Sequence, residues 1–239
     1  MVDGVRLLLL HGMGASAAVW RPAEPVLNRE WGDRWLATDL AGHGDAAPLP
    51  AYTLDAFATQ VAAAVDPQDR LVVLGHSLGG AVGLALAARP DPRVEAVVGL
   101  GIKAVWSPAE LAKSRELAAR PVSWYADRAE AARRYLRVAG LTGLVEPDDP
   151  IVDAGLRQED GRWRLAMDPG AFGVGAPDLA ALLAGIRVPV VLARGEHDPM
   201  VSDAQLAEYG RPVRALPGLG HNAHVEDPVA ALQLVDRFR

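Results

Sequence analysis

Ser77 stands at the centre of Gly75-His76-Ser77-Leu78-Gly79, a run that matches G-x-S-x-G. A nucleophile at the apex of a strand-to-helix turn needs a strained backbone, and the residues two away must be small enough for strand and helix to approach each other. Gly75 and Gly79 meet that demand, and Gly80 relaxes it further. Such a nucleophile elbow exposes the Ser77 hydroxyl at a sheet edge and at a helix N-terminus, where the helix dipole favours developing negative charge. The competing reading is a glycine-rich strand–helix turn with an ordinary serine. An apolar run before the motif and a helical run after it favour the elbow.

A serine hydroxyl is a weak nucleophile and needs a base oriented by a third group. The chain has six histidines. His11 and His76 flank glycine turns, His43 lies in Asp39-Leu-Ala-Gly-His-Gly, and His197 precedes a candidate acid. His221 ends the glycine-rich Gly218-Leu-Gly-His, which can hold an imidazole over a sheet edge, whereas His224 falls near the start of the last helix and reads as packing or capping. His221 is therefore preferred as the base. The third group should be a carboxylate between serine and histidine in chain order. Asp198, in Arg194-Gly-Glu-His-Asp-Pro, is the candidate, with Pro199 stiffening the backbone after it. Glu196 and Asp203 compete, and an Asp-Pro turn is the plain alternative.

An oxyanion hole needs backbone N–H groups aimed at the developing charge. Leu78, next to the nucleophile, should supply one, and Met13 in His11-Gly-Met-Gly the other. As a phosphate loop that segment fails: it lacks G-x-x-x-x-G-K-[ST], and Ala17 stands where G-x-G-x-x-G needs glycine. No cofactor and no metal are expected.

The elements that must position these residues alternate. Apolar runs at 5–10, 35–39, 70–74, 94–100, 188–193 and 213–216 read as strands of a parallel sheet. Residues 53–65, 81–88 and 228–238 read as helices, as do 18–29, weakened by Pro22 and Pro25. Thr53 is placed to cap the helix at 53–65. This pattern is an α/β fold, a mostly parallel sheet of about six strands with helices on both faces. Residues 1–106 and 186–239 form the core of that reading. Residues 107–185, helical and irregular and punctuated by prolines, interrupt it and read as a helical lid above the carboxyl edge, where ligands bind in open α/β sheets.

Composition narrows the function classes. The chain has 239 residues, a formal net charge of −6 and no cysteine. Disulfides, thiolate metal sites and a cysteine nucleophile are excluded, and a cytoplasmic location is expected. The charge offers no general attraction for nucleic acid or anionic membrane. Arg133, Arg134 and Arg137 read as a solvated helix face. The N-terminal residues lack the pattern of a secretory leader, and no apolar run is long enough to span a bilayer. The expected partner is a small-molecule substrate; oligomeric state stays open.

Taken together, His-Gly-Met-Gly, Asp39-Leu-Ala-Gly-His-Gly, Gly-His-Ser-Leu-Gly-Gly, Gly-Glu-His-Asp-Pro and Gly-Leu-Gly-His resemble the α/β-hydrolase superfamily, in the family's order. The resemblance runs from about Val5 to Phe238, apart from the lid. It implies acyl-enzyme chemistry in which Ser77 attacks a carbonyl, His221 takes and returns the proton, and Asp198 fixes the imidazole. It also implies that the Asp39 loop is structural and His43 not catalytic. Many members carry an antiparallel hairpin before the His-Gly strand, and too few residues precede His11 here for one. Plant methylesterases and hydroxynitrile lyases are similarly short, and the latter use the triad without hydrolysis.

Trp106, Trp124, Tyr125, Tyr135, Trp163 and Phe172 lie in the lid. Aromatics there either wall an apolar pocket or simply pack the lid onto the sheet. Lys103, after the strand at 94–100, reads as a solvated lysine at the lid hinge or as a group meeting an anionic or carbonyl substrate. The expected activity is that of a carboxylesterase acting on a small or medium apolar ester. The alternatives are a carbon–carbon bond or lactone hydrolase, a lyase or cofactor-free oxygenase on the same triad, and a ligand-binding receptor.

Overall fold

The computed structural model describes residues 4–90 and 93–239. Residues 1–3, where the reading for a leader begins, and residues 91–92 of the expected core lie outside the described residues. Among the described residues eight strands are present: β1 Val5–Leu10, β2 Trp35–Thr38, β3 Arg70–His76, β4 Val94–Leu100, β5 Leu156–Glu159, β6 Arg162–Leu165, β7 Val190–Gly195 and β8 Val213–Leu216. Six of them form one sheet in the order β2-β1-β3-β4-β7-β8. Every neighbouring pair in that sheet is parallel, matching the expected α/β class and strand number.

Strand periodicity explains the layers. Leu7, Leu9, Val72, Leu74, Val98 and Val191 face one side, against the 3-10 helix Ala17–Ala23 and α1 Glu24–Glu30. Leu8, Leu10, Leu71, Val73, Val97 and Leu192 face the other, against α2 Leu54–Ala64 and α3 Leu78–Ala88. Leu7 to Leu10 are fully buried, so both faces of β1 lose contact with water; each leucine contributes about 1.5–3 kcal/mol. Thr53 caps α2 as expected, its hydroxyl accepting from the Ala56 N–H at 3.1 Å.

Between β4 and β7 the chain makes α4 Pro108–Ala118, α5 Arg128–Val138 and α6 Pro150–Ala154, then the β5–β6 antiparallel hairpin, a 3-10 turn Pro169–Val174 and α7 Leu179–Gly185. The insertion read as helical and irregular thus also holds a short antiparallel hairpin. Leu156–Glu159 and Arg162–Leu165 pair across Asp160-Gly161, both at positive φ, 49° and 74°. That is the signature of a two-residue hairpin turn. Ala131, Ala132, Tyr135 and Leu136 of α5 join the first core, and Arg133 and Arg137 are exposed on its other face. Leu179 and Leu183 of α7 join the second core, and α7 contacts α3. In contrast α4 has no buried residue.

After β7 come α8 Asp203–Ala207, β8, α9 Ala223–Glu226 and α10 Pro228–Gln233. The expected helix at 228–238 is shorter, because the chain tightens into a 3-10 turn at Asp236–Phe238. Among the described residues no helix is long and apolar enough to cross a membrane.

The order places β1 between β2 and β3. The chain leaves β1 on one side to form β2 and returns on the other as β3. The carboxyl ends of β1 and β3 therefore flank a topological switch, where open α/β sheets form a crevice. His11-Gly12-Met13 leaves one of these ends and Ser77 the other.

Candidate active site

Ser77 sits between β3 and α3 with φ 49° and ψ −113°. A non-glycine residue in this region stores strain of roughly 1–3 kcal/mol. Two close approaches hold it there. A Cβ on Gly75 would lie 2.2 Å from the Gly79 carbonyl oxygen, and one on Gly79 2.5 Å from that of Leu10. The Ser77 N–H donates to the Leu100 carbonyl at 2.7 Å, fastening the elbow to the end of β4.

Asp198 and His221 come from the loops after β7 and β8. His221 Nδ1 lies 2.9 Å from Asp198 Oδ2. The Asp198 side chain is fully buried and that of His221 is 21% exposed. Asp198 Oδ1 accepts from the Met200 N–H at 2.8 Å, so both carboxylate oxygens are occupied. With Nδ1–H directed at the carboxylate, Nε2 keeps its lone pair. The competing acids are engaged elsewhere: Glu196 accepts from the Gly218 N–H at 2.7 Å, and Asp203 from Arg194 Nε at 2.7 Å. The histidine loop has its own supports. Glu226 accepts from the Gly220 N–H at 2.8 Å, and Asn222 Nδ2 donates to the Gly140 carbonyl at 2.9 Å.

Two further residues connect the elbow to this pair, and motif reading passed over both roles. His76 Nε2–H donates to the His221 carbonyl at 2.9 Å, and the two rings lie 4.7 Å apart. Gly101, at φ 67°, lies so close that a Cβ would be 3.2 Å from both Asp198 Oδ2 and His221 Nδ1. A Gly following a strand that ends beside the elbow was the available signal.

The other buried histidines are neutral. Burial lowers His11 to about 4. Burial, then the neighbouring His11, lowers His43 to about 3. Burial, then His221 and His11, lowers His224 to about 3. Burial, then His224 and His221, also holds His76 well below the usual imidazole range. His11 Nε2 accepts from the Leu40 N–H at 2.9 Å, leaving Nδ1–H to donate to the Gly12 carbonyl at 2.8 Å. His224 packs against Trp20 and His76 at ring separations of 4.6 and 4.2 Å. His43 is pinned in a loop whose Asp39 accepts from the Ala17 and Asp45 N–H groups at 2.7 and 2.9 Å.

A cavity of about 340 Å³ opens beside Ser77, lined also by Met13 and Leu78. Its remaining wall is mostly apolar and includes Leu54, Ile102, Leu117 and Phe172. Of the lid aromatics, Trp106 and Phe172 line it. Trp124, Tyr125 and Trp163 do not, which corrects their assignment to the pocket. Tyr125 and Trp163 exchange backbone hydrogen bonds of 2.7 and 2.9 Å, and Arg162 and Arg164 lie over the Trp124 ring. All three aromatics are tied up around the hairpin. Lys103 is no solvated hinge residue: its side chain is 13% exposed, lines the cavity and pairs with Glu110. Among the described residues no group of three or more His, Cys, Asp or Glu could hold a metal ion.

Comparison with known proteins agrees with this architecture. The model of the alpha/beta hydrolase family matches residues 7–233. The 2-succinyl-6-hydroxy-2,4-cyclohexadiene-1-carboxylate synthase of Serratia proteamaculans is 28% identical over 240 residues, 94% of this chain and 89% of that protein. The pimeloyl-[acyl-carrier protein] methyl ester esterase of Neisseria meningitidis is 41% identical over a shorter stretch of 99 residues, 41% of this chain and 30% of the esterase. The crystal structure of E-2-(acetamidomethylene)succinate hydrolase superposes with a TM-score of 0.80 at 24% identity, covering 99% of this chain and 91% of that one.

Proposed function

The chain belongs to the alpha/beta hydrolase family, and from that premise we propose that it is a serine hydrolase cleaving a carboxylic ester of a small or medium, largely apolar substrate. The observation that carries this reading is the 2.9 Å contact between His221 and the buried Asp198, on a loop tied to the residue next to Ser77. Asp198 holds Nδ1–H, so His221 Nε2 removes the Ser77 proton as Oγ bonds to the ester carbonyl carbon. The oxyanion that forms is met by the backbone N–H groups of Met13 and Leu78. The second is one of the first-turn amides of α3 that no helical carbonyl engages. The tetrahedral carbon then expels the alkoxide, which takes the proton from Nε2. Water repeats the sequence and returns the acid and free Ser77.

The mostly apolar wall supports a substrate with an apolar acyl or alcohol part. Residues 107–185 act as the lid in this proposal, with α4 contributing Glu110, Lys113, Ser114 and Leu117 to the cavity wall. A local likeness to a methyl ester esterase is consistent with ester cleavage. Activated esters of graded chain length, run beside a serine-directed phosphonate, test the proposal. Turnover that Ser77→Ala abolishes, together with a phosphonate adduct on Ser77, is the expected result. Turnover that survives Ser77→Ala overturns it, and so does no turnover of any ester.

A second reading draws on the full-length relative named as a synthase. There Ser77 and His221 act as acid and base without a covalent intermediate, as in a lyase, or cleave a carbon–carbon bond or a lactone. Burst kinetics with an ester, and trapping of an acyl group on Ser77, separate ester hydrolysis from the lyase, whereas a carbon–carbon bond or lactone hydrolase differs only in the substrate it turns over.

A further inference from the structure

An apolar ester does not require a cation in its pocket, yet a half-buried one, Lys103, lines the Ser77 cavity. Its wall is apolar except for Ser77, Lys103, Glu110, Lys113 and Ser114. The Ser114 hydroxyl is spent on the Phe172 carbonyl. The Lys113 side chain is 55% exposed and pairs with Glu116 at 2.8 Å. Lys103, by contrast, is held inside: Nζ pairs with Glu110 and stands 5.0 Å from the centre of the Trp106 ring. The Trp106 indole N–H donates to the Lys103 carbonyl at 3.2 Å, fixing the turn that carries both.

Glu110 is not a mobile counter-ion. Its Oε2 accepts from the Ser107 N–H and hydroxyl, both at 2.9 Å, in the capping box that starts α4. Lys103 first, then Ser107, lower its carboxyl to about 2, so it stays ionised. Taking an ammonium out of water costs free energy that one ion pair recovers only in part, and an apolar side chain would close the same wall without that cost. An ammonium has three donors. Glu110 takes one at Oε1, which leaves N–H groups for the cavity's contents.

We propose that Lys103 is a specificity determinant that binds a carboxylate on the substrate, so that the preferred esters are half-esters whose acyl chain ends in an anion. Chain length then sets the register: the terminal carboxylate meets Lys103 while the ester carbonyl meets Ser77, with the apolar wall around the methylenes between. This rests on the ester-hydrolase reading and adds the substrate class.

The test compares methyl hexanoate with monomethyl adipate, equal in acyl length and different only in the terminal group. Initial rates of acid release are measured for the wild type, Lys103→Met and Glu110→Gln. The wild type should favour the adipate half-ester by about tenfold or more in kcat/KM. Lys103→Met should shrink that ratio by roughly 10–100-fold, mostly through KM of the half-ester. Glu110→Gln keeps a capping-box side chain while removing the competing charge, and should raise the ratio several-fold. A wild-type ratio at or below one, or a ratio unmoved by Lys103→Met, overturns the proposal. If Lys103→Met does not fold, an unmoved ratio in Glu110→Gln does the same. Failure of the hydrolase reading looks different: neither ester is cleaved and a phosphonate leaves Ser77 unlabelled.

Discussion

Three carboxylates follow β7, and hydrogen bonding separates them. Glu196 braces the histidine loop, Asp203 holds Arg194, and only Asp198 meets an imidazole. Asp198→Asn should leave the fold intact and lower kcat for an activated ester by about 10⁴-fold, because an amide can donate where the carboxylate only accepts and so favours the wrong tautomer. Steady-state kinetics alongside a melting curve check this; kcat within about tenfold of wild type would remove Asp198 from the mechanism. Gly101→Ala sets a methyl 3.2 Å from both partners of the same pair at φ 67°. It should cost about 1–2 kcal/mol of stability from the backbone alone and lower kcat more than it raises KM. Urea denaturation and ester kinetics read the two effects separately. At this scale the sequence was most legible where residue type and spacing are imposed by sterics, as at Gly75 and Gly79. Lys103 stayed open between a solvated and a substrate-facing reading because its partial burial depends on α4 folding over it, and no local pattern encodes that contact.

At the scale of elements, strands buried on both faces declared themselves as apolar runs, and α2 through its cap and apolar stripe. The hairpin β5–β6 did not, since Arg157, Glu159, Arg162 and Arg164 mask its alternation and its apolar side chains are few. Asp160-Gly161 was nevertheless a readable turn signal. Gly161 sits at φ 74°, so Gly161→Val should weaken the hairpin by about 1–2 kcal/mol. Its aromatics lie away from the Ser77 cavity, so phosphonate labelling of the folded variant should keep its wild-type rate. Labelling that slows in step with the lost stability would mean the hairpin shapes the site after all. The lid's surroundings were not legible for a related reason: whether Trp106 or Trp163 walls a cavity depends on which core the insertion joins, and both are single aromatics in irregular sequence.

For the whole molecule, buried neutral histidines couple folding to pH. His11, His43 and His224 bind a proton near pH 6.5 when unfolded, but when folded only near 4, 3 and 3. Between those values the unfolded chain holds more protons, so stability is complete above about pH 6.5 and falls as the pH drops below it. Each histidine costs about 1.4 kcal/mol per pH unit in that window. Urea midpoints should therefore decline steeply from about pH 7 to pH 5, and a flat profile would mean that the imidazoles are not buried as neutral groups. His11 and His43 meet edge to face across the loops after β1 and β2, and His224 packs on His76 at the end of β3. In the proposed mechanism the Asp198–His221 pair makes Ser77 a nucleophile. The most direct test is mass spectrometry of the protein treated with a serine-directed phosphonate while ester turnover is followed. One adduct on the peptide carrying Ser77, with turnover lost in proportion to it, is the predicted result. An adduct on another residue, or turnover that persists in fully labelled protein, would contradict it.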